Sequence, residues 1–190
     1  ATEQAVAYLY NLGHRQIAHL PGLLHTTVGR DRTNAYCDAM LQRGLAPWVL
    51  AAGWTIEEGM AVTETLLSAR KLPTAILASS DHTAIGAMHV LRRAGLRVPD
   101  DLSVLGFANL PGSELVDPPL TTMGYDREQM GQLMITALFS LVRGEPAPGK
   151  IVVPAQFLVR RSCAPPAVAG EERILLRTAP EDGGTSHGHA

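Results

Sequence analysis

Arg30 and Arg32, Trp54, the pair Ser79-Ser80, and Asp81 are the side chains best suited to hold a small molecule. Each falls in a short break between an apolar run and a helix-period run. An arginine offers a planar fork of donors to hydroxyls, carboxylates or ring atoms. On the expected start of the second helix, near Arg32, a cation also opposes the helix dipole, so helix propensity does not account for it. Solvation, or pairing with Asp31, is the plainer reading of both arginines. An indole between Gly53 and Thr55 can stack on the apolar face of a sugar or a base, or it can simply cover the core. Asp81 is expected to cap a helix, a task that occupies one carboxylate oxygen and leaves the other for a ligand or for nothing. Ser79 and Ser80 are small enough to let a ligand approach the backbone.

Chemistry beyond binding finds little support. The sequence holds no phosphate-cradling glycine loop, no nucleophile elbow and no pair of histidines at zinc spacing. His14, His19, His25, His82 and His89 are scattered, and His187 and His189 lie near the end. Neither an enzyme nor a cofactor or metal site is expected. Cys37 and Cys163 stand alone and read as reduced thiols.

The elements that position these residues follow a repeating order of helix, glycine, apolar strand and polar loop. Gly95 to Phe107 shows it in full: a glycine stops a helix-period run, a turn follows, and Leu102 to Phe107 reads as a strand covered on both faces. Repetition of that unit predicts an α/β fold with an open parallel sheet flanked by helices, and ligands at the carboxyl ends of its strands. Loops 21–31, 53–55, 79–82 and 106–112 should meet there.

In chain order, Thr2 is expected to cap a helix ending at Gly13, and residues 16–20 form a strand. A helix runs from about Arg32 to Arg43, with a weaker strand at Val49 to Ala52. Thr55-Ile56-Glu57-Glu58 matches a capping box and opens a third helix reaching about Arg70. Ala75 to Ala78 is a strand, and Asp81 caps the helix from His82 to Ala94. Residues 109–122 read as a loop, Asp126 caps a helix at 127–143, and 151–153 and 156–159 read as two short strands or one bent strand. From Ala164 onward proline, glycine, serine and acidic residues dominate, which predicts a disordered tail.

Composition bounds the function. With 190 residues, 46% of them hydrophobic, the chain can bury one core or a core and a half. Its net charge of −2 gives no electrostatic footprint for nucleic acid. No stretch reads as a membrane span or a secretion signal. The start at Ala1, directly on a helix, suggests a piece of a longer protein.

Five segments together resemble one family. They are Gly13-His14-Arg15-Gln16-Ile17-Ala18-His19-Leu20, Arg32-Thr33-Asn34-Ala35-Tyr36, Ala78-Ser79-Ser80-Asp81, the 95–107 segment and Asp117-Pro118-Pro119-Leu120-Thr121-Thr122. In this order they resemble the carboxy-terminal lobe of the effector domain of LacI/GalR transcription regulators, a periplasmic-binding-protein type I-like fold. The resemblance implies a two-lobed clamp on a small effector (a sugar, nucleobase or related metabolite). It also implies that the amino-terminal lobe is largely missing and that operator DNA is contacted through a headpiece not present here. Residues 1–124 would be the carboxy-terminal lobe. Residues 125–155 would be a helix and strand belonging to the other lobe, 156–163 a returning strand and 164–190 the tail.

By position, Arg32 matches the family's effector-gripping arginine, Trp54 its stacking aromatic, Ser80 a polar contact and Asp81 its helix-start aspartate. Asn109 and Tyr125 complete the expected contact set. A departure stands at Ala108, where the family usually places an acidic residue that binds hydroxyls, which turns the expectation from an ordinary hexose toward a less polar, modified or acidic ligand. The resemblance further implies a homodimer through Ile85, Met88, Ser113 and Val116, and a cytoplasmic regulator working allosterically. A solute-binding protein of a sugar transporter is the alternative.

Overall fold

The computed structural model describes residues 1–51, 53–69, 71–167 and 173–174. Its elements are α1 (Thr2–Asn11), β1 (Ile17–Leu20), α2 (Thr27–Leu41), β2 (Trp48–Val49), α3 (Ile56–Ser68), β3 (Lys71–Leu72) and β4 (Ala75–Ala78). They continue with α4 (Asp81–Arg93), β5 (Ser103–Phe107), β6 (Thr121–Tyr125), α5 (Arg127–Val142), β7 (Ala155–Leu158) and β8 (Arg173–Ile174). Six strands form one sheet in the order β2-β1-β4-β5-β6-β7. Its first five are parallel, and β7 closes the far edge antiparallel to β6.

Strand alternation divides the core into two layers. Ala18, Leu20, Ile76, Ala78 and Val104 face one apolar cluster, built with Val62 and Leu66 of α3 and Ala84, Ala87 and Leu91 of α4. Ile17, Ala75, Leu77, Leu105 and Phe107 face the other, built with Val6 and Leu9 of α1 and Tyr36 and Met40 of α2. Helices cover both faces of the sheet, as its near-continuous apolar strands require. Helices α3 and α4 touch through backbone: a Cβ at Gly59 would collide with the Thr83 carbonyl, and one at Gly86 with the Ile56 carbonyl.

Every parallel strand leads toward a helix N-terminus or loop on one edge. Side chains cap four helices there, through Thr26 for α2, Thr55 for α3, Ser80 for α4 and Asp126 for α5. The Thr55–Glu58 capping box forms as expected, and Asp126 Oδ1 accepts from the Gln129 amide at 2.9 Å.

Several local expectations need correction. Thr2 is the first residue of α1, whose N-cap is Ala1 without a side-chain cap. Helix α2 starts five residues before Arg32, because Thr26 Oγ1 accepts the Gly29 amide at 3.1 Å and nucleates the first turn earlier. Arg32 therefore lies inside the helix, and the dipole argument does not apply to it. Residues 121 and 122, placed at the end of the expected 109–122 loop, instead open β6 (Thr121–Tyr125). Of the segments expected at 151–153 and 156–159, only the second is extended in a sheet, as β7 (Ala155–Leu158).

The tail expected to begin at Ala164 falls mainly outside the described residues, as do Ala52 and Arg70. Within them, Ala164 is held: its amide donates to Ser103 Oγ at 3.0 Å, and its carbonyl lies 3.0 Å from His14 Nε2. Beyond it, β8 pairs antiparallel with β3.

Helix α5 buries no residue. Leu138 and Phe139 are more than half exposed, and Val142 is 75% exposed. A contiguous apolar face of that kind drives association. Sedimentation velocity on the purified chain should show concentration-dependent self-association that Leu138→Lys with Phe139→Lys weakens. A single monomeric species at all concentrations, with a cooperative melt, would contradict this.

Candidate functional site

The strand-end edge brings Arg32, Trp54, Phe107 and Tyr125 into one neighbourhood. Arg32 reaches across from α2, and its Nη1 donates to the Ser79 carbonyl. Its guanidinium carbon stands 3.7 Å from the Phe107 ring centroid and 5.8 Å from that of Trp54, both within cation–π range. Burial pulls its pKa down to about 10, against the pull of Tyr125 and Asp81. The group remains a cation at neutral pH. Among the described residues, no carboxylate lies within ion-pair distance of it; the pairs found are Arg97 with Asp100 and Asp101.

Trp54 is set by its neighbours on both sides. Its amide and that of Thr55 donate to Glu58 Oε2 at 2.8 and 2.9 Å, while the Glu58 amide returns to Thr55 Oγ1 at 3.1 Å. These donors hold the Glu58 carboxyl below the usual carboxylate range. The indole lies flat on Gly22, where any Cβ would collide with the ring. Only glycine at 22 lets the indole keep that position.

Asp81 is not the cap. Ser80 Oγ takes that place, accepting the His82 amide at 3.2 Å, and Asp81 is the first residue of α4. Its side chain is wholly buried, with Oδ1 accepting from Thr122 Oγ1 at 2.6 Å and Oδ2 from the Leu110 amide at 2.7 Å. Both oxygens are engaged inside the protein, and no part of the side chain reaches the surface. Burial raises its pKa, opposed by the Thr122 and Leu110 hydrogen bonds.

The loop after β5 turns through two non-glycine residues with positive φ, Ala108 at 102° and Asn109 at 49°. Such angles persist only where surroundings impose them. Here the Ala108 amide donates to the Met123 carbonyl at 2.6 Å, and Arg160 Nη2 donates to Asn109 Oδ1 at 2.7 Å. Arg160 Nη1 also donates to Ser113 Oγ at 3.2 Å and to the Leu120 carbonyl at 2.7 Å. With its oxygen held, Asn109 has only amide hydrogens left to offer.

Behind this wall lies His19. Its Nδ1 is 2.9 Å from the Leu77 carbonyl, which it must donate to, and its ring stacks on Tyr36 with centroids 4.6 Å apart. Tyr36 in turn donates to the Ile17 carbonyl at 2.7 Å and accepts from the Trp48 amide at 2.9 Å, joining β1 to β2. Sequence reasoning missed Phe107, His19 and Arg160. Phe107, directly after Gly106 at a strand end, was legible; the other two act through long-range contacts that no local pattern shows.

Of the residues expected at a dimer surface, Ile85, Met88 and Val116 line one surface hollow of about 320 Å³ with His89, Arg92 and Leu115. Ser113 does not join them. It is fully buried, its hydroxyl held by Arg160, and cannot contact a second copy. Leu115 beside it is 82% exposed. Two larger hollows, of about 580 and 450 Å³, lie elsewhere: one by Arg92, Leu96 and Pro118, the other along α3.

The family model of the periplasmic binding protein-like domain matches residues 6–163. The HTH-type transcriptional repressor PurR of Glaesserella parasuis is 32% identical over 167 residues, 83% of this chain and 49% of its own length. The HTH-type repressor CytR of Escherichia coli is 32% identical over 85% of this chain and 49% of its own length. For the lactose operon repressor of Escherichia coli the figures are 32%, 87% and 46%. The chain thus spans about half the length of the curated relatives it matches. Among solved structures, a dimeric Lac repressor with an 11-residue C-terminal deletion superposes with a TM-score of 0.83 at 31% identity, over 87% of this chain and 61% of its own. A LacI transcriptional regulator from a Rhodococcus species gives 0.80 at 30% identity, over 86% and 61%.

The buried histidines give this fold a pH dependence. Burial lowers the pKa of His14 and of His19 from 6.5 to about 4. In the unfolded chain both take a proton near pH 6.5, while the folded protein refuses it until about pH 4. Their contribution is complete above 6.5 and drains away as pH falls toward 4, by about 2 kcal/mol each at pH 5. Asp81, with its raised pKa, works in the opposite direction at the acid end of that window. Urea midpoints should fall between pH 7 and pH 5, with a shallower fall in His19→Gln. A midpoint that does not move would contradict the assignment.

Proposed function

The chain belongs to the periplasmic-binding-protein-like domain family, and on that premise we propose that it is the effector-binding lobe of a LacI-type transcription regulator. The strand-end wall carries the reading: a half-buried cation with no carboxylate in ion-pair distance among the described residues, packed against the Phe107 and Trp54 rings, in a domain whose relatives are repressors. Ligand closes the clamp against this wall, and closure changes the spacing of distant DNA-binding headpieces. Coupling of that kind is typically about 1–3 kcal/mol. The net charge of −2 leaves operator contact to a headpiece, and a homodimer through Ile85, Met88, Val116 and the exposed Leu115 would match a two-half-site operator. Among the described residues no helix is long and apolar enough to cross a membrane; a regulator of this kind works in the cytoplasm. Residues 125–155, with the uncovered face of α5, pack on the second lobe of the clamp.

The donor set favours one ligand class. Asp81 is spent on Thr122 and Leu110, Ala108 supplies no carboxylate, and Asn109 presents amide hydrogens. Arg32, Tyr125 and Asn109 therefore offer mainly donors, and Trp54 and Phe107 offer flat apolar faces. A planar, acceptor-rich or anionic molecule fits that set, such as a nucleobase, a nucleoside or an aromatic acid. A polyol, which needs acceptors for its hydroxyl hydrogens, fits it poorly.

Calorimetric titration with a panel of purine and pyrimidine bases, nucleosides, aromatic carboxylates and hexoses tests this. A planar member should bind, and Arg32→Ala should weaken it at least about tenfold, the loss of a charge-assisted hydrogen bond. Tightest binding by a hexose, or an undiminished affinity in Arg32→Ala, would overturn the site.

A further inference from the structure

Arg160 reaches the loop after β5 from the far edge of the sheet. Strand β7 runs antiparallel to β6, with Leu158 opposite Thr122, and the chain then continues past the start of β6. There the Arg160 amide donates to Thr121 Oγ1 at 3.0 Å, and the Arg161 amide to the Pro119 carbonyl at 3.0 Å. The guanidinium is fastened at three points. Its Nη1 donates to the Leu120 carbonyl at 2.7 Å and to Ser113 Oγ at 3.2 Å, and its Nη2 to Asn109 Oδ1 at 2.7 Å.

The contact with Asn109 has one chemical reading. A guanidinium carries donors and no acceptor, so the amide atom that faces it is the oxygen. Ser113 Oγ, 3.4 Å from the same oxygen, is a second donor on that side. Turning the amide over would set its NH2 against Nη2. The backbone is held as well: the Asn109 amide donates to Thr122 Oγ1 at 3.4 Å, and a Cβ at Gly124 would stand 2.8 Å from the Asn109 Cβ. Nδ2 therefore points away from Arg160, and it meets no acceptor among the described residues. It is not sealed in, since the one buried side-chain polar atom without a partner among those residues is Gln16 Oε1.

We infer that Arg160 is a positioning residue that sets the hydrogen-bond polarity of the ligand site. By holding Asn109 Oδ1 it makes position 109 a donor, and the site selects a ligand carbonyl over a ligand amine at that point. The inference rests on the effector-binding reading and adds that a residue 51 positions further along the chain decides one of its preferences. Asn109→Asp would keep the Arg160 contact through one oxygen and present the other as an acceptor, which reverses the selection.

Calorimetry on the full chain tests this with two pairs of bases that exchange a carbonyl for an amine, uracil against cytosine and hypoxanthine against adenine. In a pair that binds, the unmodified protein should favour the carbonyl member by about fivefold or more, the difference made by one hydrogen bond. Arg160→Met should bring that ratio close to one, Arg160→Lys should restore it, and Asn109→Asp should reverse it. A general loss of stability would weaken both members alike and leave the ratio unmoved. Arg160→Met also removes a cation that offsets the buried Asp81 carboxylate; Asn109→Asp keeps that cation and is the arm that spares the fold. No carbonyl preference in the unmodified protein, or a ratio unchanged in both Arg160→Met and Asn109→Asp, overturns the role of Arg160 and leaves the site standing. Binding of none of the four bases overturns the nucleobase reading, and this assignment with it.

Discussion

The buried carboxylate of Asp81 is the constraint on which the strand-end edge of the sheet depends. It begins α4 directly after β4, yet its oxygens hold the Leu110 amide beyond β5 and the Thr122 hydroxyl in β6. One side chain thus ties three neighbouring strands, β4, β5 and β6, to each other. Each bond to a charged acceptor is worth about 1.5–3 kcal/mol, and an unpaired buried partner costs a similar amount. The positive φ angles at Ala108 and Asn109 persist because this latch and Arg160 hold the loop from both sides. The acid is turned inward, and its bonds set the positions of the groups around it at this edge.

With that acid turned inward, Arg32 dominates the electrostatics of the edge. Burial lowers its pKa to about 10 without removing its charge at neutral pH. The surrounding rings of Phe107 and Trp54 stabilise the cation through their faces and leave it able to meet an anion or an acceptor. The order of the sheet brings these groups together, since β1, β4, β5 and β6 are neighbours whose carboxyl ends share one side.

The α/β class, the parallel sheet and the edge that gathers Arg32, Trp54 and Tyr125 were legible in the sequence, because glycine stops and apolar runs recur with a regular order. The Thr55–Glu58 box was legible for the same reason: its two partners are three residues apart. What escaped were pairings between distant residues. Nothing local distinguishes Asp81 as a latch from Asp81 as a cap, because the deciding partners lie 29 and 41 residues away. Ser113 lies in the expected 109–122 loop, and its burial goes with a hydrogen bond from Arg160, 47 residues on, that no local pattern shows. Helix α2 began early because a single threonine at 26, preceded by no periodic pattern, caps it. β6 escaped because its five residues follow two prolines and alternate too briefly to register.

The central claim is that ligand meets this chain at the carboxyl ends of the strands, against a donor-rich aromatic wall. Two-dimensional NMR of isotopically labelled protein, titrated with a planar, acceptor-rich molecule such as a purine base, tests it most directly. The account predicts saturable shifts of the Trp54 indole N–H, the Arg32 Nε–H and the amides of Ala108 to Leu110, with the Gly95 and Leu96 amides at the opposite edge unmoved. Shifts concentrated around Gly95 and Leu96, with the Trp54 and Arg32 signals unchanged, would contradict it.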